Sequence, residues 1–334
     1  MATRALALDD KSLFAADVRA GLTMPGQKQL ASKYLYDEIG SRLFDVISLL
    51  PEYGLTRADA RILRCHADDI AERLPGVNVV AELGSGSGSK TRSILEAFSR
   101  RGYTTYSPIE ISSTALAACC RELAGLESVS ILGFEREYLD GLLEVTALRR
   151  PGQRILVLFL GSTIGNFDYP ADLTFLKQIH RILSPGDALL LGADLEKPLT
   201  QLIRAYDDSL GVTAAFNRNL LVRLNRELNA DFVLDGFAHE ARFNFQTRSI
   251  EMHLRSTSEQ RVTIASAGFS VEFCKGETIW TESSHKYSLA EIESLTRKAG
   301  FHTAAQWVDS EWAFAETLLL RIDAIGSNGI KPAE

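Results

Sequence analysis

Five apolar runs alternate with helical patterns over the first 194 residues, and the first run ends in a glycine-rich turn, AELGSGSGSKTRS (81–93). The runs are VNVVAELG (77–84), TTYSPIE (104–110), SVSIL (128–132), RILVLFLG (154–161) and DALLLGAD (187–194). Helices are expected from Ser89 and through Ala117. Strand–helix alternation of this kind predicts a doubly wound α/β fold, a mostly parallel sheet covered by helices on both faces. Ligands of such sheets sit outside the carboxyl ends of the strands, near a switch in strand order. Gly84, Glu110 and Gly161 all fall at strand ends.

The turn nearly fits two phosphate cradles. A nucleotide-triphosphate loop beginning at Gly84 needs its second glycine at residue 89, and a dinucleotide fingerprint needs its third glycine there. The residue is Ser89. A magnesium-holding acid at the end of a later strand is also missing, because RILVLFLGS ends in glycine and serine. A third pattern survives. Glu82 precedes the turn and Glu110 closes the next strand, one carboxylate on either side of the loop. Such a pair suits a ligand that carries an ammonium group and a ribose diol, since a carboxylate accepts from both ribose hydroxyls. S-adenosylmethionine fits these requirements, with Gly84 and Gly86 allowing close backbone approach and Lys90 facing the methionine carboxylate.

Charge and composition narrow the partners. The 334 residues carry 36 Lys and Arg against 43 Asp and Glu, a net charge of -7, which argues against nucleic acid. The opening MATRALALDDKSLF places charges where a secretory signal needs an apolar core, and no stretch is long enough to span a bilayer. A cytoplasmic monomer without membrane partners is expected. Cys119 and Cys120 are adjacent while Cys65 and Cys274 stand alone, and the six histidines show no close spacing with carboxylates, so no metal is predicted.

Beyond Asp194 the rhythm changes. A helical tract runs from Leu199 to Leu228, followed by the strand-like SIEMHLRS (249–256) and QRVTIASAGFSVEFCKG (260–276). The expected organisation is an N-terminal segment and the main part of a cofactor-binding domain over 1–194, an inserted α+β substrate-binding domain over 195–286, and a return to the first domain over 287–334. SLAEIESLTRKAG (288–300) and FAETLLLRI (314–322) would complete the first sheet with an antiparallel hairpin, and the tail SNGIKPAE is expected to fray.

Several tracts together resemble one family: DVRAGLT (17–23), YLYDEIGSRLFDVISLLPEYGLTRAD (34–59), ELGSGSGSKT (82–91), FLGSTIGNF (159–167), RAYDDSLGVTAAFNRNLLVRLNRELNADF (204–232), IEM (250–252) and TESSHKY (281–287). The chain is similar over most of its length to the S-adenosylmethionine-dependent L-histidine Nα-methyltransferases of ergothioneine biosynthesis. The resemblance implies trimethylation of the α-amino group of L-histidine, giving hercynine. It implies that Tyr53, Glu282 and Ser284, with Ser283 between them, bind the imidazole. It further implies that Asn166 and Tyr206 receive the α-carboxylate, that Gly161 and Tyr36 lie near the amine, and that Met252 lines the side-chain pocket. One segment departs from the family pattern. Where an aspartate usually precedes an aromatic residue and takes the adenine amino group, this chain reads Gly133-Phe134-Glu135. Phe134 is then expected to stack on adenine and Glu135 to accept the amino hydrogen, with backbone as the alternative partner.

Residue chemistry is compatible with that substrate. Neutral donors such as Asn166 and Tyr206 hold a carboxylate loosely enough for product to leave, and a carboxylate with a hydroxyl two residues along a strand suits the two ring nitrogens. No strong base is evident, so catalysis by positioning is expected, with Tyr36 relaying the amine proton and aromatic faces tolerating the ammonium charge. Two alternatives remain open at this level: an N-methyltransferase of another aromatic amino acid or amine, and a cofactor-binding regulator without turnover.

Overall fold

The computed structural model describes residues 2–322, with side chains from residue 11 onward; the tail SNGIKPAE lies outside the described residues. In chain order the strands are β1 (Lys28–Gln29), β2 (Val77–Leu83), β3 (Thr104–Ile109), β4 (Val129–Ile131), β5 (Arg154–Phe159), β6 (Ala188–Asp194), β7 (Phe237–Asn244), β8 (Ser249–Ser256), β9 (Gln260–Ile264), β10 (Phe269–Phe273), β11 (Thr278–His285), β12 (His302–Asp309) and β13 (Phe314–Leu320). Seven of them form one sheet in the order β12-β13-β6-β5-β2-β3-β4. The pairs β6–β5, β5–β2, β2–β3 and β3–β4 are parallel, while β13 runs antiparallel to β6 and to β12. The doubly wound α/β sheet and its antiparallel closing hairpin are therefore as the apolar runs predict.

The runs work because both faces of this sheet are covered. Ile155–Phe159 and Ala188–Asp194 are buried at every position, which removes the alternation of a one-faced strand. Strand order reverses between β2 and β5, and the loops after β2, β3 and β5 open at that switch point.

A second sheet, β1-β11-β8-β7, and the β9–β10 hairpin carry the remaining strands. β1 pairs in parallel with β11, Lys28 opposite Ile279, so the N-terminal segment joins the second sheet. Its side chains do the same: Phe14, Val18, Leu22, Leu35 and Ile47 share one core with Leu220, Leu224, Met252 and Ile279. This corrects the grouping of residues 1–194 into one unit, since the apolar positions of 14–50 find their partners in the insert. The expected single helical tract from Leu199 to Leu228 is also divided, into Leu199–Tyr206 and Val212–Leu228. The first helix ends where Asp207 turns to φ -143°, and Gly211 at φ +73° caps the start of the next, whose first amides Val212 N and Thr213 N donate to the Asp208 carboxylate at 2.9 Å and 2.7 Å.

The two units meet tightly at Gly54, which leads into the helix Leu55–Arg73. A Cβ there would stand 2.1 Å from Cε3 of the buried Trp312, so the indole or the backbone must shift to make room. Gly54→Ala is expected to cost about 1–3 kcal/mol by overpacking. Thermal denaturation checks this: Tm should fall by several degrees, and an unchanged Tm would mean that Trp312 yields freely.

Candidate active site

A cavity of about 1520 Å³ lies between the carboxyl ends of the large sheet and the second unit. The sheet contributes Gly84–Thr91, Glu110, Gly161 and Asn166, and the facing wall contributes Tyr36, Tyr53, Tyr206, Met252, Glu282 and Ser284. Its volume exceeds what one small molecule needs, and its two walls differ in chemistry.

On the sheet side, Gly84 (φ +74°) and Gly86 (φ +52°) adopt left-handed backbone, and a Cβ on Gly84 would meet the Tyr138 ring at 3.3 Å. The turn is therefore a bare backbone cradle. Glu110 braces it, accepting from Gly86 N at 3.2 Å and Ser112 N at 3.0 Å while still facing the cavity. Burial raises the Glu110 pKa, and these amide hydrogen bonds oppose the shift. A carboxylate has lone pairs left for a diol after two such bonds.

Lys90 also faces the cavity, but its ammonium is held from behind by Asp59 at 2.5 Å. Asp59 Oδ2 simultaneously accepts from Gly161 N at 3.0 Å, so one buried carboxylate sets both the lysine and the loop after β5. Burial disfavours the charge on Lys90, and Asp59 more than offsets it, leaving the pKa raised. Asp59 was not singled out in the sequence, yet its signal is there: Leu55, Asp59, Ile62 and Leu63 follow helical spacing, which puts an acid at a core position.

Three expected cofactor contacts are corrected. Glu82 does not reach the cavity: it is buried beneath the turn, accepting from Thr91 Oγ1 at 2.7 Å and Tyr106 OH at 2.5 Å. It anchors the loop from below, and burial lifts its pKa to about 7. Phe134 packs in the core formed with Ile109, Leu142 and Val145, with β-bridge pairing to Ile109. Glu135 is exposed and outside the cavity wall, which Arg136, Glu137 and Tyr138 supply instead. The chain after β4 thus turns its backbone and the next helix toward the cavity, two residues later than the sequence pattern suggests.

On the facing wall, β11 alternation brings Glu282 and Ser284 to the cavity and turns Ser283 away, so Ser283 is not a lining residue. Glu282 Oε1 accepts from Asn166 Nδ2 at 3.3 Å and Tyr36 OH at 3.4 Å. Burial pushes its pKa up to about 7, against the opposing hydrogen bond from Tyr36. Burial and then Glu282 hold the Tyr36 phenol well above its ordinary pKa. Tyr206 donates to Ser284 Oγ at 2.8 Å, which puts its hydroxyl beside the expected ring-binding serine and commits its one hydrogen there rather than to the α-carboxylate it was expected to receive, leaving Asn166 as the neutral donor on that wall. Tyr36, Phe44, Phe216, Tyr53 and Tyr206 form a chain of edge-packed and tilted rings with centroids 5.5–6.1 Å apart along this wall. Phe44 and Phe216 were not foreseen, because lone aromatics in helices read as core.

Behind the wall, Lys286 is fully buried and pairs with Asp194 at 2.9 Å. Strand spacing is the signal that would have found it, since 282, 284 and 286 share one side. Among the described residues no cluster of His, Cys, Asp and Glu could hold a metal ion, and no helix is long and apolar enough to cross a membrane.

Comparisons with known proteins span the residues of both walls. The chain is 41% identical over 307 residues to "Histidine N-alpha-methyltransferase" of Mycobacterium tuberculosis, covering 90% of this chain and 93% of that protein. It is 31% identical to "L-tryptophan methyltransferase trpM" of Psilocybe serbica, covering 90% of each. It is 30% identical to "Ergothioneine biosynthesis protein 1" of Neurospora crassa over 84% of this chain but 32% of that longer protein. The family model described as "Histidine-specific methyltransferase, SAM-dependent" matches residues 14–321. With both walls of the cavity inside that match, the chain belongs to the family of S-adenosylmethionine-dependent, histidine-specific methyltransferases.

Proposed function

We propose that the chain transfers three methyl groups from S-adenosylmethionine to the α-amino group of L-histidine, giving hercynine, the trimethylated betaine that leads to ergothioneine. The observation that carries this reading is Glu282 on the cavity wall with Ser284 two residues along the same strand face, a carboxylate and a hydroxyl spaced for the two nitrogens of one imidazole. Tyr53 lies against Tyr206 at 6.0 Å between ring centroids and closes that end. Met252, opposite Glu282 on β8, supplies the apolar side of the ring pocket.

The residues present also fit the methyl donor. The Gly84–Gly86 cradle offers close backbone, with Glu110 after β3 as a diol acceptor on one side and Lys90, held by the Asp59 that also holds Gly161 after β5, as a cation on the other. When bound, the donor supplies an electrophilic sulfonium methyl. The protein's part is to hold the amine in line with it and to keep water out. An α-amine has a pKa of about 8, so it must lose a proton before each attack. Tyr36, a neutral phenol donating to Glu282, is the group we assign to relay that proton: its oxygen takes the amine hydrogen as its own hydrogen moves to the Glu282 carboxylate, which releases it to solvent between transfers. The ring wall of Tyr36, Phe44 and Phe216 accommodates the cationic product by facing it with aromatic π density.

Tyr36→Phe is expected to slow methyl transfer by about 100-fold, the lower end of the usual scale of a lost proton-transfer group, with KM for histidine changed less. Equal rates for Tyr36→Phe and the parent across pH would remove Tyr36 from the mechanism. The substrate itself is tested by incubating the protein with S-adenosylmethionine and equimolar histidine, tryptophan, tyrosine and phenylalanine, then following methyl additions by mass spectrometry. Three methyls on histidine are expected. Methyls on tryptophan instead would align the chain with the Psilocybe relative, and binding without transfer would make it a regulator.

A further inference from the structure

The buried charges behind Ser284 have no role in the mechanism above. Lys286 Nζ lies 2.8 Å from Tyr206 OH, 2.8 Å from Ser284 Oγ and 2.9 Å from Asp194 Oδ2. An ammonium has three hydrogens and no lone pair, so these three oxygens use all of its capacity. Asp194 is held in turn by Lys197 at 2.5 Å, which gives Asp194 two cationic partners inside the protein.

This arrangement decides which way the two hydroxyls point. Lys286 only donates, so both Tyr206 and Ser284 must accept from it. The Tyr206 phenol then donates to Ser284 Oγ at 2.8 Å. Both lone pairs of Ser284 are thereby occupied, one by Lys286 and one by Tyr206. Its own hydrogen is the single one left over, on a residue that lines the cavity. Ser284 can donate to a ligand and cannot accept from one. Glu282, two residues away, accepts as a carboxylate.

We infer that Lys286 is a positioning residue that fixes Ser284 as a donor, so that the ring site takes a neutral five-membered ring with one N–H and one bare nitrogen rather than the doubly protonated cation. The neutral ring satisfies both groups, its N–H on Glu282 and its bare nitrogen under the Ser284 hydroxyl. The cation would bring a second N–H against an oxygen with no lone pair free. The titratable groups facing this site are Glu282 on β11 and Lys286 just after it, Tyr206 and Tyr53 from the helical wall, Tyr36 from the N-terminal segment, Asp194 at the end of β6 and Lys197 beyond it. The inference rests on the histidine reading and adds to it the protonation state that binds.

Nitrogen NMR of ring-¹⁵N-labelled histidine bound to the unmodified protein with S-adenosylhomocysteine tests it. The measurement is made near pH 7.5, above the Glu282 value of about 7, where the carboxylate has formed and would hold the ring as an imidazolium if Ser284 were able to accept. One pyrrole-type and one pyridine-type nitrogen are expected in the bound ring. Two imidazolium-type nitrogens would overturn the inference while leaving histidine as ligand. No bound resonance at all would overturn the histidine reading, and this inference with it.

Lys286→Met supplies the second arm, and Asp194 keeps Lys197 in that variant. KM for histidine should rise about 10-fold or more, while the affinity for S-adenosylmethionine stays within about threefold. Ser284→Ala should cost about 10-fold alone and less than about twofold on the Lys286→Met background, because the donor is no longer aimed. Additive losses, or a fall in donor affinity in step with histidine, would make Lys286 a structural ion pair only.

Discussion

Glu282→Gln is expected to lower kcat/KM for histidine by about 30- to 150-fold, or about 2–3 kcal/mol, the scale of a hydrogen bond to a charged group inside a protein. The glutamine keeps the shape and can keep one hydrogen bond, so the loss reports the charge. The pH profile separates this from a packing effect. Burial lifts the Glu282 pKa to about 7 in the free protein, so kcat/KM should rise with pH through about 7 as the carboxylate forms. The glutamine variant should lack that limb and retain only the titration of the substrate's own groups.

Stability should move the other way. A carboxyl whose pKa rises from 4.5 to about 7 on folding binds protons more tightly in the native state. Its stabilising contribution is full below the unfolded value of 4.5 and is lost as pH rises through 7. Above pH 7 the native protein holds a buried charge that glutamine does not carry. Glu282→Gln is therefore expected to melt at a higher temperature than the parent at pH 8 and to lose that advantage near pH 4. A variant that is both less active and less stable at pH 8 would contradict the burial argument.

The second large effect is expected at Asp59. Asp59→Ala leaves Lys90 without its carboxylate at 2.5 Å and leaves Gly161 N without its acceptor at 3.0 Å. Removing one partner of a buried pair costs about 3–5 kcal/mol. Thermal denaturation should show a clear drop in Tm, and calorimetric titration at least a 10-fold loss of affinity for S-adenosylmethionine. Asp59→Asn keeps an acceptor for Gly161 and should recover part of the stability without the affinity. Glu316 modifies this outcome. It is fully buried and held neutral by burial first and by the charge of Asp59 second, its proton shared with that carboxylate. Once Asp59 is gone, Glu316 can ionise and face Lys90 in its place. The double variant Asp59→Ala/Glu316→Gln should therefore lose more than the sum of the single changes.

Why Asp59 escaped the sequence reading while the large sheet did not is a matter of range. The strands of that sheet are continuous apolar runs closed by Gly84, Glu110 or Gly161, and each signal is local. The same locality explains the error at Glu82. An acid two residues before a glycine turn looks like part of the site, yet a strand buried on both faces offers no alternation to say which face holds the ligand. Glu82 went to Thr91 and Tyr106 instead. Ser283 is the opposite case, because β11 does alternate, and the alternation alone assigns Glu282 and Ser284 to one side and Ser283 to the other. The Asp208–Gly211 break within the 199–228 tract was legible in principle, as an acid followed by a glycine is a helix stop and restart. The attachment of residues 14–50 to the insert was not. It depends on β1 pairing with β11 some 250 residues away, and nothing in Lys28-Gln29 announces that partner.

The central claim is that the ring of the substrate is held by Glu282 and Ser284 so that only the α-amine reaches the sulfonium methyl. The most direct measurement is the position of the added methyl groups in the product formed from histidine and S-adenosylmethionine, mapped by proton–carbon NMR. The account predicts three equivalent methyls on Nα and none on either ring nitrogen. A methyl on a ring nitrogen would mean that the imidazole, not the amine, faces the donor, and would contradict the orientation that Glu282 and Ser284 impose.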